Sequence, residues 1–149
     1  MGRIVCVVFV LLSAAVLPLG LSAQQGGSIG QEGEQEAVFH LGTNYPNPFN
    51  PETRIPFELY EDAFEDGRPA IVTARIYNAL VRPVATPTAL NHPAGEGTPV
   101  IDLEYHFPGR HELYWDGRDR SGNAVASGIY VLEMMVNGKS RMIRMYVSK

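Results

Sequence analysis

Four histidines, two carboxylate-rich turns and a single cysteine are the residues of this chain whose types could do chemistry. His106 and His111 stand five apart across Phe107-Pro108-Gly109-Arg110, so their rings could meet. A metal centre wants a third ligand, and none is at hand beside them. The reading is two surface histidines flanking a turn, with His40 and His92 remote in sequence. The run Glu61-Asp62-Ala63-Phe64-Glu65-Asp66-Gly67 is acidic but lacks the regularly spaced oxygens of a calcium loop, so it reads as a solvated turn. Asp116, Asp119 and Asn123 crowd another turn; carboxylates bonding their own backbone explain that composition as well as a calcium site would. No Gly-x-Ser-x-Gly elbow, phosphate loop or dinucleotide fingerprint is present. The expectation is a protein that is not an enzyme, with no cofactor and no small-molecule substrate.

Charge narrows the partners. The chain carries 12 basic and 16 acidic residues, a formal net charge of −4. A nucleic-acid binder would present a basic face to displace phosphate counterions, so none is expected here. A cationic patch for anionic lipid is not expected either. Hydrophobic residues make up 45% of 149, enough to pack the core of one domain.

The N-terminus is of a different kind. Met1-Gly2-Arg3 forms a short positive region, an apolar run follows from Ile4 to Leu17, and Leu21-Ser22-Ala23 places small residues before Gln24. This is the layout of a secretory signal peptide over 1–23, cleaved after Ala23. The competing reading is a membrane anchor, since the apolar stretch just reaches the lower limit of about 18 residues for a span; Pro18, Gly20 and Ala23 favour cleavage and a mature chain without a transmembrane helix. Cys6 lies inside the apolar run and not after a lipoprotein-type cleavage box. The mature chain then has no cysteine, hence no disulfide or thiolate site. Residues 24–43 open with QQGGSIGQEGEQE and read as a flexible leader.

From residue 44 onward the pattern is that of strands and turns. Pro46, Pro48 and Pro51 stiffen an extended segment whose apolar anchors are Tyr45 and Phe49, placed along a sheet edge. Ile55, Phe57 and Leu59 alternate as a half-buried strand, which Pro56 assigns to an edge. Further strands are expected over 71–77, 82–85, 100–105, 111–115, 129–136 and 139–147. The last two flank Asn137-Gly138, a pair suited to the positive φ values of a type I′ turn. Residues 86–99, with three prolines and no period, read as a loop. No stretch sustains a helical period. The fold class is all-β, one immunoglobulin-like sandwich of about seven strands over 44–149, with Trp115 its largest core candidate.

The ordered motifs carry a family resemblance. Asn44-Tyr45-Pro46-Asn47-Pro48-Phe49-Asn50-Pro51-Glu52-Thr53 and Ile55-x-Phe57-x-Leu59 come first. Arg75-Ile76-Tyr77-Asn78, Trp115-Asp116-Gly117-Arg118-Asp119, Gly122 and Ser127-Gly128-Ile129-Tyr130 follow. The set resembles the C-terminal sorting domains of the type IX secretion system, and the related immunoglobulin-like domain of the flagellar hook-capping protein. The proline-rich opening and the basic final strand favour the sorting domains. The resemblance implies export through the inner membrane, recognition by the outer-membrane secretion machinery, and delivery to the cell surface, often with removal of the domain. It implies recognition through the last hairpin, at Lys139, Arg141, Arg144 and Lys149. It also implies a structural signature made of Pro46, Asn47, Pro48, Phe49, Trp115, Asp116, Gly117, Gly128 and Tyr130. Val81 stands near where the family usually has a glycine, and the 86–99 connection is longer than usual. Only about 20 leader residues separate the signal peptide from the domain, too few for a folded cargo. Alternative expectations are a stand-alone binding or structural module of the cell envelope, and the tail of a larger gene that lost its cargo.

Overall fold

The computed structural model describes residues 37–149; the expected signal peptide over 1–23 and all but the end of the expected leader over 24–43 lie outside them. Nine strands form two sheets: β1 Phe39–Leu41, β2 Thr53–Leu59, β3 Ala70–Asn78, β4 Pro83–Ala85, β5 Thr88–Ala89, β6 Leu103–Tyr105, β7 Gly109–Trp115, β8 Gly128–Val136 and β9 Lys139–Val147. The first sheet runs β1-β2-β7-β5 and the second β4-β3-β8-β9, with β6 also paired to β3. Every strand pairing is antiparallel. The protein is an all-β sandwich, as its alternating pattern predicts.

Period-two alternation does the sorting of side chains. Ile55, Phe57 and Leu59 of β2, and Leu113 and Trp115 of β7, turn inward from the first sheet. Ala70, Val72, Ala74 and Ile76 of β3 meet them from the second, with Leu132, Met134 and Val136 of β8 and Met145 and Val147 of β9. Burying one large aliphatic side chain is worth roughly 1.5–3 kcal/mol, so this set is what holds a disulfide-free domain together. Asn137 (φ 48) and Gly138 (φ 82) close the β8–β9 hairpin, with Val136 opposite Lys139. These are the positive φ values that a type I′ turn needs.

Three expectations change. The folded chain begins before residue 44: β1 pairs with β2, and Val38, Phe39 and Leu41 are buried. The polar run up to Glu36 masks the few apolar residues that follow it, Val38, Phe39 and Leu41. Pro56 is in an inner strand, between β1 and β7. It is tolerated because β1 stops there. The Pro56 carbonyl accepts from Gly42 N–H at 2.9 Å, and the reciprocal bond, which proline cannot donate, marks the end of that ladder. A Cβ on Gly42 would stand 2.9 Å from the proline ring, so the crossing requires glycine. Lastly, residues 86–99 contain β5, which leaves the sheet of β4 and joins β7 in the other one. Ala89 is fully buried and donates to the Thr98 carbonyl at 2.8 Å. Two residues are too few to show a period.

Candidate functional site

The signature residues assemble at one end of the sandwich. Phe49 and Trp115 meet edge to face with ring centroids 5.3 Å apart, and Trp115 meets Tyr130 the same way at 5.5 Å. All three are buried, Phe49 to 1% exposure and Trp115 to 2%. The polar tips are satisfied: Trp115 Nε1 donates to the Arg118 carbonyl at 2.9 Å, and Tyr130 Oη donates to the Ala126 carbonyl at 3.0 Å. Asp116 accepts from Arg118 N–H at 3.0 Å, which shapes the turn that returns the chain under the indole. Gly117 (φ +70) lets that turn approach the proline-rich segment; a Cβ there would lie 2.2 Å from the Pro51 carbonyl oxygen. Gly128 (φ +152) starts β8 beside it. Trp-Asp-Gly, Ser-Gly-x-Tyr and the proline-rich run are thus three parts of one contact.

The proline-rich segment is tied down at both ends. At its start, Asn44 is buried and donates from Nδ2 to Thr53 Oγ1 at 3.0 Å and to the Pro46 carbonyl at 3.2 Å. Thr53 Oγ1 donates to the same carbonyl at 3.0 Å. At its far end Phe49 lies parallel to the edge of β9: its N–H donates to the Tyr146 carbonyl at 2.9 Å, and its carbonyl accepts from Ser148 N–H at 3.0 Å. Asn47 Oδ1 accepts from Tyr146 N–H at 3.0 Å. Phe49 is the expected anchor. Tyr45 is not: it is 47% exposed and its hydroxyl donates to Glu112 on the surface. The polar anchors Asn44 and Thr53 were within the motif but carried no apolar signal.

The basic residues of the last hairpin lie along a line. Lys139, Arg141 and Arg144 are exposed on β9, and Lys149 follows its end. At about 3.4 Å per residue the line is roughly 30 Å long, so the four form no compact cluster. Arg144 shares the outward face with Met142 and Tyr146; Lys139 and Arg141 share the face of Met145 and Val147 but project beyond the core at the hairpin tip. Among the described residues none of the four makes an ion pair. Four of the 12 basic residues and none of the 16 acidic ones fall in these last eleven positions. Beside them the outer face of β8 and β9 exposes Ile129, Met135, Met142 and Tyr146.

The histidines are placed differently from the sequence reading. His106 is exposed near Glu104. His111 is half-buried against Tyr105 (centroids 4.7 Å) and Phe57 (5.4 Å), and Tyr105 also meets His92 at 4.7 Å. The β2–β7 pairing sets His111 opposite Phe57, and β6, paired to β3 in the other sheet, brings Tyr105 against both, which five-residue spacing does not reveal. Burial lowers the His111 pKa and raises that of Tyr105 to about 12. His40 and His111 line a surface cleft of about 660 Å³ with Pro56, Glu58, Arg110 and Glu112. Among the described residues no three His, Cys, Asp or Glu side chains are grouped to hold a metal. Asp119 accepts from the N–H groups of Ser121 and Asn123 at 2.8 and 2.9 Å, which accounts for that turn's composition. No helix among the described residues is long and apolar enough to cross a membrane.

No family model and no curated protein matches the chain. Among solved structures it is similar to PorZ of Porphyromonas gingivalis, described as an essential bacterial surface component of the type IX secretion system. That likeness has 20% identity and a TM-score of 0.41, and covers 74% of this chain and 11% of PorZ. It is also similar to dimeric latent PorU of Porphyromonas gingivalis, at 19% identity and a TM-score of 0.48, over 74% of this chain and 9% of PorU. The chain spans about a tenth of the length of each.

Proposed function

We propose that the sandwich is a sorting domain without catalysis of its own: an address that the type IX secretion machinery reads at the outer membrane to deliver what carries it to the cell surface. The observation that carries the reading is a division of labour. The motifs that resemble those of sorting domains fold inward into one aromatic contact, whereas the basic residues of the last strand stay exposed and, among the described residues, make no ion pair. A label needs a rigid body and a free, chemically distinct edge, and the division supplies both.

The test is to fuse residues 37–149 behind an exported reporter in a host with a type IX translocon and to label whole cells. Surface labelling is expected. Deleting β9 is a poor control, because Met145 and Val147 are core residues. Replacing Lys139, Arg141, Arg144 and Lys149 together by Glu leaves the core intact, and should leave the reporter in the periplasm. Undiminished surface delivery by that variant would refute recognition through the hairpin. The alternative of an envelope binding module is favoured by the partly open edge of β9; it predicts periplasmic retention of the unmodified fusion.

A further inference from the structure

The β8–β9 register fixes where the backbone groups of β9 point. Val136 and Lys139 close the two-residue turn as a hydrogen-bonded pair, so the odd-numbered residues of β9 face β8 and the even-numbered ones face outward from the sheet. The contacts of the proline-rich segment agree: Tyr146 and Ser148 are the residues bonded to Asn47 and Phe49. That cover ends at Tyr146. The N–H and C=O groups of Ser140, Met142 and Arg144 have no hydrogen-bond partner among the described residues. Three donors and three acceptors therefore stand in a row along the β9 edge of the second sheet.

An open edge is a template for another strand, and folded proteins guard such edges with cover or with charge. Among the described residues half of this edge is hydrogen-bonded to the proline-rich segment, and the charges along the other half are Lys139, Arg141 and Arg144. Those cations say what can pair. A second copy of β9, antiparallel and centred on Met142, would drive its Asn137-Gly138 turn into the Asn47–Phe49 cover. Centred on Arg141, it would set Arg141 against Arg141, and like charges directly opposite destabilise a pair. An acidic strand meets neither obstacle. Opposite Arg141, Met142, Ile143 and Arg144 the favoured partners are acidic, apolar, apolar and acidic.

We infer that Ser140–Arg144 is a strand-accepting site for an extended segment of a partner protein with that acidic–apolar–apolar–acidic order. Backbone bonds to the edge supply affinity, and the two arginines supply the choice of sequence. The inference deepens the reading of the last hairpin as the recognised part, and rests on it only for where the partner is met.

The probe is the capped hexapeptide Thr-Glu-Val-Val-Glu-Thr, whose palindromic order serves either strand direction. It is titrated against the ¹⁵N-labelled protein at millimolar concentrations. Shift changes and slowed amide exchange are expected at Ser140, Met142 and Arg144. Only one of the two adjacent valines can turn its N–H to the edge in a given register, so N-methylating both removes that donor in either register and blocks its approach, and should weaken binding at least about tenfold. The double substitution Arg141→Glu and Arg144→Glu, both at exposed positions, should reverse the preference toward Thr-Lys-Val-Val-Lys-Thr. Absence of binding, equal binding of the N-methylated peptide, or shifts elsewhere on the surface would each overturn the inference. Surface delivery without peptide binding sinks strand addition alone; peptide binding without delivery sinks the sorting reading alone.

Discussion

Val81 holds a φ of +58 at a position 77% exposed, a conformation that a β-branched residue adopts at a cost. The turn around it forces the choice. Asn78 Oδ1 accepts from the N–H groups of Leu80 and Arg82, each at 3.0 Å, Asn78 O accepts from Val81 N–H at 2.9 Å, and Asn78 N–H donates to the Arg82 carbonyl at 3.0 Å. The turn is thus made as a glycine would make it, with the strain carried by valine and offset by Asn78. Left-handed geometry costs an L-residue about 1–2 kcal/mol, and glycine's greater freedom when unfolded returns part of that. Val81→Gly should therefore stabilise the domain by about 0.5–1 kcal/mol, read as a higher urea midpoint with an unchanged slope. This position was legible as a departure from the family pattern. Its outcome was not, because the turn's hydrogen bonds depend on β3 and β4 being paired.

Elements explain what single residues do not. The start of β7, the end of β6 and the middle of β2 converge on His111, whose pKa is lowered chiefly by burial, opposed by its bond to the Phe107 backbone and aided by His92. A folded-state pKa below the unfolded value of about 6.5 means that the unfolded chain binds more protons in that window. The stabilisation is whole above that value and is lost as pH falls through the folded pKa. Urea midpoints should drop between pH 7.5 and pH 5, and His111→Phe, which keeps a ring against Tyr105, should flatten that slope. An unchanged slope would assign the loss to other groups. Seven strands and the Asn137-Gly138 hairpin were readable from alternation and turn chemistry, since both are local rules. The two-residue β5 and the three-residue β1 were not: two residues show no period, and β1 follows directly on a polar run and has no turn signal to set it off.

At the scale of the whole molecule, the boundary of the folding unit matters most. Residues 37–43 supply Val38, Phe39 and Leu41 to the core, and β1 covers the side of β2 that a chain beginning at Asn44 would leave open. At roughly 1.5–3 kcal/mol for each large side chain buried, starting at residue 44 should cost about 3 kcal/mol or more relative to 37–149. Comparing the two by thermal unfolding checks this, and equal stability would make β1 an ornament. The same scale shows the charge division: an acidic body and a final strand with basic residues alone.

By itself the sequence determined the class of fold and the closing hairpin, because side-chain period and turn preference act over a few residues. It also placed Lys139, Arg141, Arg144 and Lys149 on the last strand. Only the tertiary structure decided that Phe49, Trp115 and Tyr130 form one contact, that Pro56 sits inside a sheet, and that the proline-rich segment bonds to Tyr146 and Ser148 at the end of β9, with no such bond to Ser140–Arg144 among the described residues. Those facts join residues up to about a hundred positions apart. No local rule reaches that far, because such contacts form only when two sheets close on a shared core.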